Sequence, residues 1–220
     1  MISSRRMNRF AQACLSAFAG LLIAAGAAQA HPHVWVTMKS TVIYAADGSV
    51  TGVRHAWTFD DMFSAFAVQG LESKQKGVFT RDELQPLAKV NVESLKEYDF
   101  FTYAKAGGKK VEFVEPTEYH LEHSNAILTL HFLLPLKAPA KAQSLDLEVY
   151  DPSYFVDFVF AEKDGAALAG APAACKLSVG KPQEMTKEIA EMLGRIPPGQ
   201  QIPENSYGAQ FANKIIVKCP

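Results

Sequence analysis

Residues 33–44 are dense in β-branched and aromatic side chains, Asp47-Gly48 supplies a hairpin turn, and residues 49–59 resume the same pattern. With Asp47 and Gly48 as the two turn residues, the sum of paired positions is constant along the ladder. That pairs Ser40 with His55, Met38 with Trp57 and Val36 with Phe59, and puts all six on one face. The face is largely apolar, so His55 reads as a hydrogen-bonded core histidine rather than a ligand. His33 falls on the opposite face.

Further hairpins follow. Gly107-Gly108 separates residues 100–106 from 109–115, and Ser124-Asn125 separates residues 118–123 from 126–133. Around the second of these turns, Tyr119, Leu121, Leu128, Leu130 and Phe132 form a core face, and Glu118, His120, Glu122, Thr129 and His131 form the other. Strands are predicted at 144–150, 155–160, 175–179 and 214–219. Met185, Ile189, Met192 and Leu193 fall at helical spacing, with Gly194 placed to cap the helix and Pro197-Pro198 to stop it. These patterns predict a mostly β, α+β fold: an antiparallel, sandwich-like domain with a helical insertion at about 60–98 and a short helix near the C-terminus.

Within the insertion, residues 72–83 have the length and punctuation of an EF-hand loop, with Gly77 sixth, Phe79 eighth and Glu83 twelfth. Its third and fifth positions are Lys74 and Lys76, where calcium needs oxygen ligands. No calcium binding is expected, and the segment reads as a helix-loop-helix covering one end of the sheet. Pro86 is expected to kink the outgoing helix or delay its start.

The first thirty residues follow a different logic. Arg5, Arg6 and Arg9 precede an apolar run over 11–28 that ends in Ala28-Gln29-Ala30, a small-x-small cleavage signal. The expectation is an exported, periplasmic protein whose mature chain is one domain over residues 31–220, without stable membrane insertion after cleavage. The mature part keeps two cysteines, Cys175 and Cys219, and in an oxidising compartment an even pair reads first as a disulfide. The whole chain has 22 basic and 23 acidic residues and a formal net charge of -1. It therefore lacks the basic field that a nucleic-acid partner would need.

Cleavage after Ala30 would expose His31-Pro32-His33, with an α-amine and an imidazole on one residue. Together they can chelate an ion, and His33 is close enough to supply a second imidazole. Nitrogen-rich sites of this kind suit copper(II), nickel(II) or zinc. Pro32 excludes the square-planar motif that uses the deprotonated amide of residue two, because it has no N–H. His120, Glu122 and His131 are a second candidate set, although a His/Glu face is solvated more often than it ligates. No Gly-x-Ser-x-Gly turn, His-Glu-x-x-His or phosphate loop is present, so nothing supports a hydrolase or a nucleotide enzyme.

The order of several short motifs resembles the DUF1007 family (domain of unknown function) of exported bacterial proteins. The motifs are His31-Pro32-His33-Val34-Trp35, Trp57-Thr58-Phe59-Asp60 with Ser64, Gly77 with Glu83, Phe101-Thr102, Tyr150-Asp151-Pro152-Ser153-Tyr154, and Cys175. The chain departs from the family pattern at Lys74 and Lys76, where acidic residues are usual, and at Phe155. The resemblance implies a periplasmic component of a transport system beside a permease of the nickel/cobalt type, and it adds Asp151 as a candidate metal ligand with His31 and His33 and Tyr154 as a position to test. The expected function is thus a non-enzymatic accessory that binds a nickel, cobalt, copper or zinc ion and exchanges it with a membrane permease. The alternatives are a structural or chaperone-like β-sandwich without metal, and a copper histidine-brace redox enzyme.

Overall fold

The computed structural model describes residues 32–193 and 207–220. The expected leader, His31, the expected cap at Gly194 and Pro197-Pro198 lie outside the described residues. The fold is mostly β and built from two sheets. The first has the order β5-β6-β2-β1-β8, using β1 (Val34–Tyr44), β2 (Val50–Phe59), β5 (Glu118–Ser124), β6 (Ile127–Ala140) and β8 (Val156–Phe160). A short strand, β9 (Ala166–Ala169), pairs with β1 beyond the end of β8. The second sheet has the order β10-β11-β7-β3-β4, from β3 (Thr102–Ala106), β4 (Lys109–Val111), β7 (Ser144–Val149), β10 (Lys176–Gly180) and β11 (Asn213–Lys218).

The β1–β2 register is the one expected, with Ser40 opposite His55, Met38 opposite Trp57 and Val36 opposite Phe59. Pairing is antiparallel except along β1, where both β8 and β9 run parallel. β9 reads Ala-Ala-Leu-Ala, which has no strand signature of its own. Val42, Val53, Leu145, Leu147, Ile215 and Val217 meet between the sheets to form one core cluster.

The other half of the first sheet is covered by the insertion. α1 (Asp61–Ala67) starts at Asp60, whose Oδ1 accepts the Phe63 N–H and whose Oδ2 accepts the Trp35 N–H. Ser64 is fully buried; its hydroxyl donates to Asp60 O and accepts the Leu128 N–H at 3.0 Å. These contacts explain the sequence run Phe59-Asp60 with Ser64: it ties α1 to β1 on one side and to the start of β6 on the other.

α2 (Arg81–Leu95) packs Leu84, Ala88 and Val92 into a second cluster around Met38, Trp57, Leu121 and Phe132. Pro86 does not delay the helix. A capping box of Thr80 and Glu83 fixes the first turn, and Pro86 lies inside, at an exposed position. α3 (Lys187–Leu193) matches the predicted C-terminal helical segment. Cys175 and Cys219 are disulfide-bonded, clamping the residues that flank β10 and β11. Among the described residues no helix is long and apolar enough to cross a membrane.

Candidate metal centre

The hairpin of β5 and β6 turns at Asn125-Ala126, both at positive φ (52° and 65°), one residue later than expected. That moves every cross-strand partner by two positions. Because side chains alternate with period two, the expected core face is preserved, but the partners on the outer face change. His120 now stands directly opposite His131, and Glu122 opposite Thr129. The two imidazoles stack at 4.6 Å with ring planes 8° apart.

Both rings turn their Nε2 atoms toward one carboxylate. His120 Nε2 lies 3.4 Å from Glu122 Oε1, and His131 Nε2 lies 3.4 Å from Glu122 Oε2. The ligand atoms of these three side chains lie within 4.8 Å of one another, and among the described residues they are the one group of three or more His, Cys, Asp or Glu so arranged. Zinc bonds to nitrogen and oxygen of about 2.1 Å would draw the atoms to roughly 3.3 Å apart, a closure within reach of side-chain rotation. Glu122 and His131 line a depression of about 420 Å³ together with Lys39, Thr58 and Thr129.

The site carries one carboxylate with the cations Arg81 and Lys39 beside it, and its imidazoles are held differently. Burial is the largest influence on His131 and pushes its pKa down, which keeps the imidazole neutral and its lone pair available. His131 Nε2 is buried and, despite the nearby carboxylate, has no partner in hydrogen-bond geometry. Glu122 is held ionised, its pKa lowered first by a hydrogen bond from Arg81. Arg81 is the first residue of α2, and its Nη2 reaches Glu122 Oε1. Sequence reasoning did not find Arg81, since it comes from the insertion and no local spacing links it to β5.

His33 is exposed at the entrance to β1. Its amide donates to Phe155 O at 2.8 Å and its ring packs on Phe155 with centroids 4.8 Å apart. The amino-terminal motif and the Tyr150–Tyr154 motif are therefore neighbours in space. Within the latter, Asp151 is buried: Oδ1 accepts from the Ser153 amide and hydroxyl, and Oδ2 accepts the Val156 N–H. Tyr154 sits at φ 58°, with its phenol pushed up to about 12 by burial and by Asp157. Asp151 thus organises the turn into β8.

His33 and the hairpin cluster occupy different places. Lys39, Ala56 and His131 are consecutive partners across β1, β2 and β6. Lys39 lies six residue steps along the chain from His33, about 20 Å when extended. One ion cannot bridge both.

The loop at 72–83 also has a structural explanation. Glu83 Oε1 accepts the Lys74 N–H, while Oε2 accepts from the Thr80 amide and hydroxyl. The carboxylate that would be a calcium ligand at the twelfth position closes the loop instead.

A family profile described as "Protein of unknown function (DUF1007)" matches residues 16–219. The chain belongs to this family. It is 26% identical over 204 residues to an "Uncharacterized protein" of Haemophilus influenzae, covering 91% of this chain and 96% of that one. It is also 33% identical over 93 residues to an "Uncharacterized 15.5 kDa protein in trpE 3'region" of Spirochaeta aurantia, covering 42% of this chain and 66% of that one.

Proposed function

We propose that this protein is an exported, periplasmic accessory that binds a transition-metal ion and exchanges it with a membrane permease, without itself catalysing a reaction. The observation that supports this reading best is the convergence of His120, Glu122 and His131 on the outer face of the first sheet. Two imidazoles and a carboxylate are the donor set of borderline ions such as zinc, nickel, cobalt and copper(II). Three protein ligands leave coordination positions open, and a carrier that must surrender its cargo needs such a site rather than a closed four-ligand cage. In the same proposal, the amine and imidazole of His31, with His33, form a second and separate docking point in the processed chain. The disulfide agrees with an oxidising compartment.

Calorimetric titration of nickel, cobalt, copper(II) and zinc into periplasmic protein beginning at His31 tests this reading. Glu122→Gln and His131→Ala should each weaken the hairpin site at least tenfold while the far-ultraviolet spectrum stays the same. Adding one residue before His31 should weaken only the amino-terminal site, because it replaces a basic amine by an amide nitrogen. Full-strength binding in all three variants would refute both placements, and no binding of any of the four ions would refute the function.

A further inference from the structure

We propose that Arg81 is the resident counter-ion of the His120–Glu122–His131 cluster and is displaced when a divalent ion enters, so that loading releases the ion pair between the insertion and β5. The inference rests on the metal-binding reading and adds a competing cation to it. Glu122 Oε1 is the atom that Arg81 holds and also the atom nearest His120 Nε2. An ion drawing on that oxygen competes directly with the guanidinium, and the two positive charges repel at close range.

The architecture lets Arg81 leave without unfolding its helix. α2 is anchored by Leu84, Ala88 and Val92, all buried, and by the Thr80 and Glu83 capping box, none of which uses Glu122. Arg81 itself is exposed, with 62% of its side chain accessible. The segment before it keeps its own contacts: Val78 N–H bonds to Gln75 O, Glu83 receives the Lys74 and Thr80 amides, and the Phe79 ring packs against the core and meets the edge of His123 on β5. The Arg81–Glu122 pair is thus a tether between the start of α2 and β5, at the strand position where the ion would bind. An empty site holds the guanidinium, and a loaded site frees it while Glu83 and Phe79 keep the loop in place.

The test uses zinc and nickel with the full processed protein and three chains: wild type, Arg81→Gln and Glu122→Gln. Arg81→Gln should tighten the Glu122-dependent site about fivefold, the scale of an exposed ion pair. In the wild type, saturating zinc should shift the Arg81 guanidinium resonance toward that of a free arginine, and in Glu122→Gln it should lie there already without zinc. If Glu122→Gln removes a binding event but Arg81→Gln leaves it unchanged or weakens it, the counter-ion role is refuted and the metal site stands. If Glu122→Gln removes no binding event, both are refuted. An Arg81 resonance left unchanged by saturating zinc would also overturn the displacement.

Discussion

His55 makes the stability of this protein depend on pH. It is fully buried, next to Trp57 and Phe132, with Nδ1 2.9 Å from Ser40 Oγ and Nε2 3.4 Å from Thr102 Oγ1. Thr102 donates its only hydroxyl proton to Phe100 O, so at His55 it can only accept. The network therefore assigns the proton to Nε2 and lets Ser40 donate to Nδ1. Both nitrogens of a neutral ring are satisfied, and no carboxylate is among these partners to receive an imidazolium. Burial pushes the pKa down from 6.5 to about 3. The folded value lies below the unfolded one, so the unfolded chain takes up the proton first. Stability is complete above about 6.5 and falls as pH drops, until the folded group itself titrates near 3. Integrated from pH 7 to pH 5, the loss is about 2 kcal/mol. Urea unfolding at pH 7, 6 and 5, followed by tryptophan fluorescence, measures it. His55→Gln keeps a donor and an acceptor without titrating; it should be less stable at pH 7 but about 2 kcal/mol less sensitive to this change. His131, whose pKa is also lowered, contributes to both proteins and cancels in the difference. Equal losses in wild type and variant would refute the argument.

Three further outcomes are expected. Ser64→Ala should lower stability by about 1–3 kcal/mol in chemical denaturation, because the buried Leu128 N–H loses its acceptor; an unchanged midpoint would show that another group takes its place. Reducing the Cys175–Cys219 bridge, which spans 44 residues, should lower stability by about 4 kcal/mol, read as the shift between oxidised and reduced denaturation curves. Millimolar calcium should leave the thermal midpoint unchanged, since Lys74 and Lys76 repel a divalent ion and Glu83 is engaged by backbone amides; a rise of several degrees would contradict this.

Much of this architecture was legible in the sequence because strand pairing is local. The β1–β2 register expected from Asp47-Gly48 holds from Val36 to Ile43 and shifts at a bulge beside the turn, and period-two alternation placed Leu121, Leu128, Leu130 and Phe132 inside. The same alternation explains why a turn misplaced by one residue still gave the correct outer face: the error shifts partners by two and preserves parity. It could not give the pairing of His120 with His131, which depends on the absolute register. Arg81 was illegible for another reason. Its partner is 41 positions away, and only the packing of α2 on the first sheet brings the two together. The parallel course of β8 and β9 along β1 likewise requires a crossover that no short window of sequence records.

The placement of β11 has a consequence for how the molecule is made. It lies between β10 and β7, so the second sheet stays in two pieces until residues 213–218 are available. The first sheet needs nothing beyond Ala169. A chain that emerges with its amino-terminal end leading can therefore assemble the hairpin bearing His120, Glu122 and His131, with Arg81 docked on it, while Leu145 and Leu147 still await their cover. At that stage the half-made molecule would carry a finished His–Glu cluster and an unfinished core, and the late strand, sealed by Cys219, would commit it to the folded state.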